Sequence, residues 1–159
     1  MGSSLHPDVE PLAFLLGTWR GRGTGGYPTV EPFEYEEELE FGHTGKPYLT
    51  FRQRTWLTKG EDRIPSHVEF AFWRPSVGGQ LEVACVHANG IAEIELGVVT
   101  GTHVQLATER IVSAPTSKDV VRLERRFDVA ERSLTYDVRM AAVDHELSPH
   151  LHAVLWKES

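Results

Sequence analysis

A period of two runs through most of this chain, and no other feature limits its possible folds so tightly. In "FEYEEELEF", Phe33, Tyr35, Leu39 and Phe41 share one parity, while Glu34, Glu36, Glu38 and Glu40 share the other. Successive side chains of a strand point to opposite faces, so this is the mark of a half-buried β-strand. The alternation returns in 49–57, in 67–73 with Val68, Phe70 and Phe72 together, in 81–87, and in 92–98 with Ala92, Ile94, Leu96 and Val98 together. It continues through Val121, Leu123, Phe127 and Val129, then through Leu134, Tyr136, Val138 and Met140.

Short turn signals separate these runs: "HTGKP", "TKGED", "RPSVGG", "HANG", "VTGT" and "SAPTSKD". The pattern is that of an antiparallel meander. One helical segment is expected, Asp8 to Leu16, with Asp8 as N-cap, Pro11 in the first turn and Gly17 ending it. About nine or ten strands are too many for an open sheet, and closure removes the exposed edges. The expected fold is all-β: a single antiparallel up-and-down β-barrel of about ten strands with one short N-terminal helix and an internal cavity.

A chain of 159 residues suits a single domain, 1–159, with 1–7 as a loose lead-in. No apolar run approaches the ~18 residues of a membrane span, so a soluble protein without a membrane partner is expected. Sixteen Lys and Arg against 23 Asp and Glu give a formal charge of −7, and no basic stripe offers a nucleic-acid footprint. Cys85 is the only cysteine, which excludes an internal disulfide, a CxxC zinc site and a dithiol redox pair. The cytoplasm is the natural compartment, and the N-terminus lacks the basic start and apolar stretch of a signal peptide.

"GRGTGG", Gly21 to Gly26, formally matches the dinucleotide fingerprint GxGxxG, but Tyr27, Pro28 and an alternating strand follow where a helix would be required. Glycines in a first strand instead allow a bent barrel strand or a close backbone approach. His145, His150 and His152 with Asp144 and Glu146 carry zinc-type donors, although acidic neighbours also suit a solvated turn. No GxSxG elbow or other nucleophile signature is present, which sets hydrolysis aside.

The closing "SPHLHAVLW" resists a regular strand. Leu151, Ala153 and Leu155 form one face, and His150, His152, Val154 and Trp156 the other. Either the mixed face lines a cavity with His150 at its mouth, or Pro149 brings a local irregularity that re-aims His150.

Together "GTWRGRGTGGYPTVEPFEYEEELEFGHTGKPYLTF", "FWRP", "NGIAEIELG" and "PHLHAVL" resemble the nitrobindins, haem-binding relatives of the fatty-acid-binding proteins, from about Leu12 to Lys157. The GxWxGxG signature is Gly17, Trp19, Gly21 and Gly23. The resemblance implies a ten-stranded barrel that holds one haem b per chain at its open end, with His150 as the axial iron ligand. It also implies Thr29 against the haem, Lys118 near a propionate and His67 towards the distal side, with Trp19 plugging the closed end. The implied activity is isomerisation of peroxynitrite to nitrate at ferric haem, with nitric oxide bound in the ferrous state. By that account no residue-based nucleophile is needed. The rival is a carrier of a fatty acid or other small apolar ligand in the same cavity, without catalysis.

Overall fold

Hydrogen bonding of each strand to its sequence neighbours leaves the first and last strands as the two edges, and these pair with each other. The computed structural model, which describes residues 3–159, contains β1 (Gly17–Tyr27), β2 (Val30–His43), β3 (Leu49–Lys59), β4 (Asp62–Pro75) and β5 (Gln80–His87). It continues with β6 (Ile91–Thr100), β7 (His103–Ser113), β8 (Val120–Ala130), β9 (Ser133–Ala142) and β10 (Ser148–Lys157). Antiparallel pairing runs in sequence order from β1 to β10 and returns to β1, so the barrel is closed and up-and-down, as expected. Among the described residues no helix is long and apolar enough to cross a membrane.

One end is covered by the N-terminal segment. The helical segment expected at Asp8–Leu16 is present as a 3-10 helix over Pro7–Leu15, and its cap is not Asp8 but His6, whose Nδ1 accepts from the Asp8 N–H at 3.2 Å. Pro11 has no N–H to offer an α-helical ladder, and the buried residues Val9, Leu12 and Leu15 recur every third position, which is the 3-10 period. Leu15 presents its carbonyl to the Trp19 indole N–H at 2.7 Å, and Trp19 is wholly buried. Of the expected lead-in, Leu5 packs against the core, while Met1 and Gly2 lie outside the described residues.

Above this cover the barrel is filled by aromatic rings. Phe41 lies 5.1 Å from Trp73, Trp73 5.2 Å from Phe127, and Phe127 4.6 Å from Tyr136, centroid to centroid. Each is buried and contributes roughly 1.5–3 kcal/mol by removing apolar area from water. β4 and β6 depart from this rule. Phe70, Phe72, Ile94, Leu96 and Val98 face outward, and it is Glu69, Glu93 and Glu95 that point inward with Ala71, Trp73 and Ile91. Parity was legible there, but the apolar parity is the outer one. Val121 is exposed for another reason: a register irregularity between Val120 and Arg122 turns Val120 inward in its place.

The glycines of β1 serve the seam rather than a nucleotide. A β-carbon on Gly21 would collide with the carbonyl oxygen of Val154 and stand 2.8 Å from the Leu155 Cα, and one on Gly23 would meet the Tyr35 ring at 2.5 Å. Both obstacles are at the β1 pairing line, where Gly21 faces Leu155 and Gly23 faces Tyr35. Gly21→Ala must therefore push β10 away from β1, at a cost of about 1–3 kcal/mol as in other overpacked sites. Urea unfolding is expected to show this loss, and an unchanged midpoint would contradict the seam's tight packing.

Candidate functional site

The end of the barrel opposite the 3-10 helix opens into a cavity of about 360 Å³. His150 reaches it through a bulge. Pairing of β10 with β9 jumps from Pro149–Arg139 to Leu151–Val138, so His150 is the extra residue and both His150 and Leu151 line the cavity. Of the two arrangements open from sequence, the local irregularity after Pro149 is the one adopted. His152 lies outside, where its Nδ1 pairs with Asp137 Oδ1 at 2.6 Å.

His150 Nδ1 lies 2.9 Å from the Gly26 carbonyl oxygen. A carbonyl only accepts, so Nδ1 carries the hydrogen and Nε2 keeps its lone pair. Burial lowers the pKa of His150, and the neighbouring His67 adds to this against the opposing Gly26 hydrogen bond, so the ring is neutral around pH 7. The edge of Tyr27 packs against it, centroids 5.9 Å apart, and the Tyr27 hydroxyl is fixed by donating to the Ala142 carbonyl at 3.0 Å. Ring orientation is thereby set from two sides.

The other candidate residues converge on the same cavity. Thr29 comes from the β1–β2 turn and Lys118 from the β7–β8 loop, both exposed at the rim, and His67 comes from the middle of β4. Gly17, Trp19, Gly21 and Gly23 do not line it: they belong to β1 towards the closed end. Nor do the residues around His145 gather on one point, since His145 lies against Tyr27, His150 faces inward and His152 outward.

Beneath the cavity is a polar floor that the sequence reading missed. Arg125 is 5% exposed and its guanidinium meets Glu69 through Nη1, Glu95 Oε1 through Nε at 2.7 Å, and the Tyr136 hydroxyl at 3.1 Å. His87 bridges Glu93 Oε2 at 2.7 Å and Glu69 Oε2 at 3.0 Å, while Gln53 donates to Glu37. Burial opposes ionisation of Glu69, yet Arg125 and the two histidines outweigh it and hold this carboxyl well below the usual range. Burial also opposes charge on His87, but hydrogen bonds with Cys85, Glu69 and Glu93 raise it to about 12. Glu37 and Glu95 go the other way: burial pushes each up to about 8. Near pH 7 the floor thus balances two carboxylates, Glu69 and Glu93, against Arg125 and His87, with Glu37 and Glu95 protonated. A parity signal was available, because Glu37 sits between Tyr35 and Leu39, and Arg125 between Leu123 and Phe127, on otherwise apolar faces.

Residues 8–157 match the family described as the THAP4-like, heme-binding beta-barrel domain. The chain belongs to this haem-binding barrel family. It is 44% identical over 162 residues to the protein of Mycobacterium avium named peroxynitrite isomerase 2, spanning 99% of both chains. It is 40% identical to the protein of Salinispora arenicola named peroxynitrite isomerase, over 97% of this chain and 82% of that one. The crystal structure of Rv2717c from M. tuberculosis has the same architecture, with a TM-score of 0.90 at 40% identity over 98% of this chain and 100% of that one.

For a haem-binding barrel, the donor chemistry of this cavity fits. His150 offers a neutral imidazole whose far nitrogen is engaged by a backbone carbonyl, the arrangement that orients histidine ligands and raises their basicity. Phe33, Leu57, Ile91 and Met140 supply apolar wall for a macrocycle.

The floor has its own consequence for stability. Glu37 keeps its proton in the folded state until about pH 8, against an ordinary value of 4.5, so its contribution is full below the ordinary value and is lost as pH rises through the folded one. Glu37→Gln removes the titration. Between about pH 5 and about pH 8 the wild type should lose more stability than the variant, by up to about 1.4 kcal/mol per pH unit. Equal losses in urea unfolding would show that Glu37 is already ionised in the fold.

Proposed function

We propose that this chain is a haem b-dependent peroxynitrite isomerase that also binds nitric oxide, with one haem per chain held by His150. The observation that carries the reading is the fixed neutral tautomer of His150 at the wall of the open-end cavity. Haem b, when bound, supplies a ferric Lewis acid at which peroxynitrite rearranges to nitrate and, once reduced, a ferrous centre for nitric oxide. Names of the relatives at 40–44% identity over nearly the whole chain support this activity.

The residues of the chain divide the remaining work. Gly26 accepts the Nδ1 hydrogen and so leaves Nε2 of His150 as the atom that would hold the iron. Tyr27 holds the imidazole plane. The apolar wall excludes water, which keeps the anion's rearrangement apart from proton exchange with solvent. Thr29 and Lys118 at the rim are placed to serve the haem edge, Lys118 through charge attraction to a propionate. His67 lines the same cavity, where it would stand near a bound small ligand. No protein nucleophile or general base takes part. Cytoplasmic location agrees with the lone cysteine, Cys85, which is buried and unpaired.

Haemin titration of the wild type should give a saturable Soret shift, and His150→Ala should abolish it while far-ultraviolet circular dichroism stays the same. A normal Soret band with unchanged affinity in the variant would remove His150 from the iron. Lys118→Ala should weaken haemin binding by about 0–1 kcal/mol, since an exposed ion pair contributes little. A loss as large as that of His150→Ala would contradict its rim role.

A further inference from the structure

The cavity contains a second set of ligand atoms that a haem on His150 does not use. His67 Nε2 and Glu69 Oε2 are 3.2 Å apart, His67 Nε2 and His87 Nδ1 3.3 Å, and His87 Nδ1 and Glu69 Oε2 3.0 Å. Donors bound at about 2.1 Å to one cation stand roughly 3.0–3.4 Å apart at octahedral or tetrahedral angles. The triangle already has these dimensions. It follows from simple strand geometry: His67 and Glu69 alternate on one face of β4, and Glu69 lies opposite His87 in the β4–β5 register.

Two of the three donors are also held from behind. His87 turns its Nε2 to Glu93 Oε2 at 2.7 Å, which leaves Nδ1 for the cluster, and Glu93 is itself fixed by the Thr108 hydroxyl at 3.0 Å. Arg125 takes the Oε1 of Glu69 through Nη1 and reaches Oε2 through Nη2 at 3.4 Å, while Oε2 also faces the two histidines. A carboxylate behind a histidine ligand, and a hydrogen-bonded carboxylate ligand, are the usual supports of a metal site.

With a hydrogen on both His67 Nε2 and His87 Nδ1, each directed to Glu69 Oε2, the two rings would face each other at 3.3 Å as donors, whereas a cation accepts all three lone pairs together. A cation at His87 Nδ1 displaces the proton that this nitrogen otherwise shares with Glu69, so a dication adds one positive charge to a floor lined by Glu37, Glu69, Glu93 and Glu95.

We propose that His67, Glu69 and His87 form a binding site for one divalent first-row transition cation, of the Zn²⁺ or Fe²⁺ class that two imidazoles and one carboxylate select. Three protein ligands leave coordination positions open towards the cavity, where His67 is 31% exposed at its side chain while Glu69 and His87 are 2% and 5% exposed. Its three ligands come from β4 and β5, and none of them is His150.

The test is calorimetric titration of the full-length, chelator-stripped chain with Zn²⁺. Wild type and His150→Ala should each bind one Zn²⁺ per chain with the same affinity, and His67→Ala should bind at least tenfold more weakly. His67 is at the cavity surface, so its removal leaves the core intact. Glu93→Gln, which weakens the support of His87 without removing a ligand, should weaken binding by about 10–100-fold. Absence of stoichiometric binding in the wild type, or full affinity in His67→Ala, overturns the site. Loss of binding in His150→Ala overturns it as well, because the cation would then belong to the His150 nitrogen.

Discussion

The pairing of β1 with β10 is the contact on which both the fold and the site depend. Seven residue pairs from Trp19–Lys157 to Gly25–Leu151 join the two ends of the chain and remove the only sheet edges. They can approach because Gly21 and Gly23 put hydrogen where any side chain would strike backbone or the Tyr35 ring. The same seam brings the carbonyl of Gly26 to His150, 124 residues away in sequence, and so decides which nitrogen of that ring is free. Barrel closure and ligand preparation are one structural event.

The interior is divided along its axis. Trp19, Phe41, Trp73 and Phe127 pack the covered end as a dry core, whereas Arg125, His87 and the buried glutamates form the floor of the open cavity. Burying such a network is not a route to stability, since desolvation offsets most of the attraction between the charges, and removing one partner leaves another stranded. Apolar residues of the same volume would hold the barrel at least as well. Retention of this floor beneath a ligand cavity fits a role in setting the electrostatics of what binds above it.

Barrel architecture was legible because it depends on features the sequence displays directly: two-residue alternation, and turn residues at each reversal. Which face of a strand turns inward was not. On β6 the apolar Ala92, Ile94, Leu96 and Val98 lie outside because Glu93 and Glu95 find Arg125 within, and that partner is contributed by β8. The N-terminal segment was legible as a helix but not as a 3-10 helix, a form chosen by burial of every third residue against the barrel end. His150 stood out through its resemblance to a family motif, whereas its inward aim required the bulge after Pro149, which alternation alone left open. His87 carried no local signal: its partners Glu69 and Glu93 come from the strands on either side.

The central claim is that a haem held by His150 in this cavity performs the isomerisation. It is tested most directly by stopped-flow decay of peroxynitrite with the ferric, haem-loaded chain and with His150→Ala carrying the same total haemin, nitrate being measured in both. The account predicts a decay rate that rises in proportion to the loaded wild-type protein, yields nitrate, and falls in the variant to that of haemin alone. Equal rates for the two proteins, or a wild-type rate no faster than the spontaneous one, would contradict it.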